Sequence, residues 1–255
     1  MNLNYSIGEI AAITQGTVRG DLQVTVNSLF IDSRNHFNEN NSLFIAIKGE
    51  FNDGHEYLVE LYQKGLRNFI IERTAREKLI NKVRFFKKNK NVQFSEANII
   101  VVENAVVALQ KIATHHRRKF DIPVIGITGS NGKTIVKEWL YHILRSQFNI
   151  VRSPKSYNSQ VGVPLSILQM NRRHTLAIFE AGISIPGEMK VLEEMIAPTI
   201  GLLTNIGTAH LGNFESKISL INEKKYYLIT VNIRISMIKI NLQTFILKRK
   251  VSTVR

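Results

Sequence analysis

The stretch Gly-Ile-Thr-Gly-Ser-Asn-Gly-Lys-Thr, from Gly126 to Thr134, places three glycines, a lysine and two threonines within nine residues. Glycines at 126, 129 and 132 allow close backbone approach and positive φ. Successive backbone N–H groups can then wrap a phosphate at the start of a following helix. Thr128, Gly129, Ser130, Asn131, Gly132, Lys133 and Thr134 are the parts of such a cradle. Lys133 would meet the outer phosphates as a point charge, and the Thr134 hydroxyl is placed for Mg2+. Ile127 stands where the general nucleotide pattern has its first glycine, so the loop is a variant of that pattern. The bland alternative is a Gly/Ser-rich strand-to-helix turn. A β-rich run before the loop and an amphipathic run after it argue against that alternative.

Other residues with chemical potential are isolated. Glu180 ends the apolar run Leu-Ala-Ile-Phe-Glu. A carboxylate there is costly if buried and unpaired, so it reads as a Mg2+ ligand or as a strand-end surface charge. His210 follows another apolar run; a lone histidine is usually a packed or surface residue. Asn158 reads as a turn residue. Asn52-Asp53-Gly54 is a strong turn signal by itself. Ser33 and Arg34, in Asp-Ser-Arg, are a weak signal alone.

The elements that must hold these residues fall into three regions. Residues 1–122 mix strand-like runs (42–47, 68–72, 98–103) with helical patches (56–65, 104–118), an α/β unit. Pro123 disfavours helix at Ile122 and marks a break. Residues 123–225 alternate strand and helix. The run 124–128 is a strand, and Ile135, Trp139, Leu140, Ile143 and Leu144 recur at helical spacing after the loop. Pro186 suits the first turn of a later helix. This alternation predicts a mostly parallel sheet covered on both faces, with ligands beyond the carboxyl ends of its strands. The fold class is therefore α/β: a small N-terminal α/β domain, then a P-loop ATPase-like domain.

Composition narrows the function classes. Net charge is +14, from 34 Lys and Arg against 20 Asp and Glu. A basic nucleic-acid-binding P-loop protein is thus one reading. However, six of the basic residues and no acidic one lie in 226–255, which leaves 28 against 20 elsewhere. Solvated helix ends and loops account for that remainder, and no nucleic acid is expected as partner. There is no cysteine, which excludes disulfides and thiolate metal sites and fits a reducing compartment. The first residues lack the pattern of a signal peptide, and no run of about 18 apolar residues suggests a membrane span.

The loop also resembles the ATP loop of the Mur ligases, Thr-Gly-x-x-Gly-Lys-Thr, which does not require glycine at Ile127. Asp32 to Arg34, Leu43 to Leu58, Ser156 to Leu168, Phe179 to Met189 and Thr204 to Ser216 resemble, in order, the branch that joins D-alanyl-D-alanine to a UDP-N-acetylmuramoyl-tripeptide. The resemblance covers about Tyr5 to Lys224. It implies a cytoplasmic peptide synthase of peptidoglycan assembly that uses ATP and Mg2+ and works as a monomer. It implies that Lys133 and the loop hold ATP, that Thr134 and Glu180 bind one Mg2+, and that His210 binds a second. Lys224 matches a lysine carried as a carbamate, and Asn158 a substrate-side asparagine. Ser33, Arg34, Lys48, Gly49 and His55 match the segment that holds the UDP-sugar end. In such enzymes the peptide carboxylate becomes an acyl phosphate, which the dipeptide amine then attacks.

The third region, 226–255, has no Gly, Pro, Ala, Asp or Glu and does not resemble the family's third domain. It reads as translation out of frame, and the expectation is a truncated ligase with reduced or no turnover. A nucleotide-binding module without ligase activity is the competing class.

Overall fold

A computed structural model of the chain describes residues 3–35, 37, 41–74, 94, 96–207, 211–229, 233–236 and 247–249. Two compact units emerge, Met1–Ile112 and Ala113–Arg255.

In the first unit, β1 (Tyr5–Ser6) leads into α1 (Ile7–Thr14), whose start is a reciprocal capping box between Ser6 and Glu9. Then follow β2 (Thr17–Arg19), β3 (Thr25–Val26), β4 (Ser28–Phe30) and β5 (Ser42–Ile45). α2 (Leu58–Gln63), β6 (Asn68–Glu72), β7 (Asn98–Val102) and α3 (Ala105–Arg117) complete the order. The main sheet runs β2-β7-β6-β5-β4, parallel except for β2. Phe30, Phe44, Leu58, Leu61, Phe69 and Phe94 share its core. Burying each side chain of this size contributes roughly 1.5–3 kcal/mol. The expected strands at 42–47, 68–72 and 98–103 are all present, shortened at 42–45 and 98–102.

In the second unit, β8 (Val124–Thr128) precedes α4 (Lys133–Leu144), β9 (Ile150–Arg152) and α5 (Gly162–Ile167). β10 (Leu176–Glu180), α6 (Glu188–Ile196), β11 (Ile200–Leu203), α7 (Lys217–Ile229), β12 (Ile233–Ser236) and β13 (Leu247–Arg249) follow. The sheet order is β13-β12-β11-β8-β10-β9, parallel except for β13. From β8 the chain passes to β9 on one side and later to β11 on the other. The carboxyl end of β8 is therefore a topological switch point, where ligands bind in open α/β sheets.

Several expectations change here. The unit boundary falls inside α3, before Pro123, because that helix runs on to Arg117. α4 does not bury its expected stripe. Ile135, Trp139 and Ile143 are exposed, whereas Val136 and the partly buried Leu140 and Leu144 pack on Ile125, Ile127 and Ile178. The helix is turned by its first residues, since Thr134 must reach the sheet. α6 begins at Glu188 with Gly187 as N-cap at φ 85°, so Pro186 lies just outside it. Position 225 lies within α7, and β12 extends the parallel sheet beside β11, beyond the expected end of the second region. Among the described residues no helix is long and apolar enough to cross a membrane.

Tyr227 shows what α7 does for the sheet. Its side chain is fully buried, and a Cβ on Gly126 of β8 would fall on its hydroxyl. That hydroxyl has no hydrogen-bond partner among the described residues. An unsatisfied buried hydroxyl costs about 1–3 kcal/mol. Tyr227→Phe is therefore expected to stabilise the protein by about 1 kcal/mol or more in urea unfolding.

Candidate active site

Ile127 lies within β8, fully buried in the core and paired in register with Glu180 and Leu202. Its side chain belongs to the sheet, and the cradle begins only after Thr128. Gly129 has φ 140° and Gly132 φ 81°, both in the region that favours glycine. A Cβ at Gly129 would collide with the Thr204 hydroxyl, whereas one at Gly132 would meet nothing within 4 Å. The loop is thus tight against β11 on one side and open on the other.

Residues just after β11 brace the loop. Asn205 accepts from the Ser130 amide through its carbonyl (2.9 Å) and from the Asn131 amide through Oδ1 (2.8 Å). Thr204 Oγ1 donates to the Asn131 carbonyl at 2.6 Å, and Gly207 N donates to Ser130 Oγ at 2.8 Å. α4 starts without a side-chain cap. Its first N–H groups have no intrahelical acceptor, which suits an anion. Lys133 donates to the Gly129 carbonyl at 2.7 Å, and burial, against the pull of Glu180, lowers its pKa. Thr128 Oγ1 is buried with no hydrogen-bond partner among the described residues.

Glu180 is fully buried at the carboxyl end of β10. Thr134 Oγ1 donates to its Oε2 at 3.0 Å, and the fully buried Lys137 ammonium pairs with Oε1 at 2.9 Å. The surface-charge alternative for Glu180 is thereby removed. Two residues past Glu180, Gly182 N donates to the Asn158 carbonyl at 2.8 Å, which holds Asn158 beside this edge. Lys224, on α7, donates to Ser130 Oγ at 2.8 Å. Burial first, then the charge of Lys133, pull its pKa down to about 8. Lys224 is therefore expected to react with acetylating reagents with a midpoint near pH 8. Lys133→Ala should raise that midpoint, because it removes the second cause. Mass-spectrometric labelling across pH 6–10 checks both. His210 lies outside the described residues.

In the first unit, the loop after β4 carries Asp32, Ser33 and Arg34. Arg34 donates to Asp32 from its backbone N (3.0 Å), Nε (2.9 Å) and Nη2 (2.7 Å). Those hydrogen bonds hold the Asp32 carboxyl down at about 2. Phe37 stacks on Phe30 at 5.5 Å beside this loop. Lys48 and Asp53 form a backbone bridge across the 49–52 turn. His55 is different from its expected role. Its Nδ1 lies 2.6 Å from Asp53 Oδ1 and its Nε2 accepts from Glu72 N at 3.0 Å. With both ring nitrogens engaged inside the unit, His55 fixes the loop that carries Lys48.

Lys137, Asn205 and Glu223 were not singled out by the sequence. Glu223 accepts from Gly187 N (2.9 Å) and Met189 N (3.0 Å), which caps α6 and sets the position of α7. Lys137 lies three residues after Thr134 and so on the same helix face, but that spacing marks it only once Thr134 is known to face the sheet.

Two family models match, Mur ligase family, catalytic domain, over residues 25–117 and Mur ligase middle domain over 127–246. Together they cover most of the chain. The chain belongs to the Mur ligase family. The chain is 40% identical over 124 residues to the UDP-N-acetylmuramoyl-tripeptide--D-alanyl-D-alanine ligase of Synechocystis, covering 49% of the chain and 27% of that protein. Among solved structures, MurF of Acinetobacter baumannii superposes with a TM-score of 0.76 at 25% identity, covering 91% of this chain and 48% of that one. MurF of Thermotoga maritima, solved in complex with ADP, gives 0.66 at 27%, covering 84% and 46%. The chain thus spans about half the length of the solved chains it matches. The middle-domain match runs to residue 246, into the region expected to be out of frame.

Proposed function

We propose that this Mur ligase carries the UDP-substrate and ATP sites of an enzyme that joins D-alanyl-D-alanine to UDP-N-acetylmuramoyl-tripeptide. The observation that carries this reading is the contact between the half-buried Thr134 and the buried Glu180, where the phosphate loop meets the sheet edge. Mg2+ takes oxygen ligands, commonly one or two carboxylates plus phosphate oxygens. A hydroxyl and a carboxylate oxygen 3.0 Å apart beside a phosphate loop fit that donor set. Thr134 and Glu180 would hold the ion, with His210 as a ligand to a second. When bound, Mg2+ would neutralise the nucleotide's phosphate oxygens.

The chain's own residues supply positioning and charge. Lys133 leaves the Gly129 carbonyl to meet the outer phosphates, and the start of α4 receives them. Lys224 is the carbamate-bearing lysine; its depressed pKa keeps a share of neutral amine, the form that adds carbon dioxide. Asn158 faces the peptide substrate. Ser33, Arg34 and Lys48 hold the UDP-sugar end, with Arg34 sharing its fork between Asp32 and the ligand.

A thermal-shift experiment tests the reading. Saturating UDP-N-acetylmuramoyl-tripeptide should raise Tm by about 5–10 °C, as expected for ligand near 100 Kd. Arg34→Ala with Lys48→Ala should remove that shift and leave the shift from Mg2+ and an ATP analogue intact. No shift with the tripeptide substrate, or an equal one with an unrelated RNA oligonucleotide, would overturn it.

A further inference from the structure

Lys137 is a buried ionisable group, beside the candidate site, that the proposed chemistry leaves unused. Its side chain is fully buried. Its ammonium donates to two carbonyls, those of Ser153 at 2.8 Å and of Lys155. It also lies 2.9 Å from Glu180 Oε1 as an ion pair, and that oxygen has no hydrogen-bond partner among the described residues. Lys155 has φ 49°, a left-handed conformation that side-chain-bearing residues adopt only at a cost. That twist accompanies the delivery of its carbonyl to Lys137. Ser153 makes a second link, accepting from Glu180 N through Oγ at 3.1 Å. Behind Lys137, Glu138 lies 3.3 Å from its Nζ and 3.2 Å from Arg152 Nη2. The charges therefore alternate from Arg152 through Glu138 and Lys137 to Glu180.

We propose that Lys137 is a positioning residue that occupies Glu180 Oε1 and leaves Oε2, beside Thr134, as the single carboxylate oxygen offered to a divalent cation. The proposal rests on the nucleotide-site reading above. The two oxygens of Glu180 are divided: one faces the rear, toward Lys137, and one faces the phosphate loop. A carboxylate free to rotate could present both oxygens or neither. One clamped from behind presents one, with its charge already compensated while no cation is bound.

The test combines a stability cycle with metal-dependent binding on the whole chain. Lys137→Met, Glu180→Gln and the double variant are compared with the wild type. Lys137→Met should lower Tm by about 10 °C, because a buried carboxylate loses its partner. The double variant should melt near Glu180→Gln. Binding of a fluorescent ATP analogue is then measured in Mg2+ and in EDTA. Lys137→Met should reduce the Mg2+ enhancement at least tenfold, with affinity in EDTA changed less than threefold. An unchanged Mg2+ enhancement would overturn the proposal. So would a double variant as unstable as Lys137→Met, because Lys137 would then serve only the Ser153 and Lys155 carbonyls that follow β9. If Lys137→Met does not fold, the double variant against Glu180→Gln still decides the second point. Absence of analogue binding by the wild type would instead defeat the nucleotide-site reading, and the stability cycle would then judge the Lys137–Glu180 coupling by itself.

Discussion

Lys133→Ala is expected to weaken binding of an ATP analogue by about 10- to 150-fold, the range for loss of a charge-assisted hydrogen bond worth about 1.5–3 kcal/mol. The folded state should be little affected. Lys133 contributes one bond to the Gly129 carbonyl and is held below its usual pKa by burial. Removing it deletes a cation that burial disfavours. A circular-dichroism melt alongside a fluorescence titration separates the two effects. A large drop in Tm together with unchanged affinity would show that Lys133 braces the loop rather than receives phosphate.

Gly129→Ala is expected to act through both the backbone and the site. At φ 140° a side chain is strained by about 1–3 kcal/mol. The added Cβ would also fall on the Thr204 hydroxyl and lie 3.0 Å from the Asn205 carbonyl. Thr204 and Asn205 cannot retreat freely, because they hold Asn131 and Ser130. The expected result is a loss of at least about 2 kcal/mol in urea unfolding and a loss of nucleotide binding. Gly132→Ala is the informative contrast. Its Cβ would meet nothing, leaving only the φ penalty at 81°. Equal stability losses for the two variants would contradict the contact with Thr204.

The sequence carried much of this arrangement. Strand, glycine loop and helix are local features, and Thr128 to Thr134 fall where their spacing predicted. Glu180 was legible because a carboxylate ending an apolar strand is a local anomaly. What surrounds these residues was not legible. Lys137 looks like any exposed lysine on an amphipathic helix until the rotation of α4 is known. That rotation is set by Thr134 meeting Glu180, a contact across 46 residues of chain. The same rotation exposes Ile135 and Trp139, whose spacing alone suggested burial. His55 was read as a ligand-facing residue, and only tertiary pairing with Glu72 reveals that its ring is already engaged. The composition of 226–255 marks it as atypical, and composition does not reveal that Tyr227 packs on Gly126 or that β12 pairs with β11. Composition reports on a segment's history and solubility, while burial depends on what it lies against.

The central claim is that the loop from Gly129 to Thr134, with Glu180, forms a Mg2+-dependent nucleotide site. Calorimetric titration of the 255-residue chain with a non-hydrolysable ATP analogue, first in Mg2+ and then in EDTA, tests it most directly. The predicted result is a single site whose affinity falls when the metal is removed and falls again in Lys133→Ala. No binding heat in Mg2+, or equal affinity in the wild type and Lys133→Ala, would contradict it.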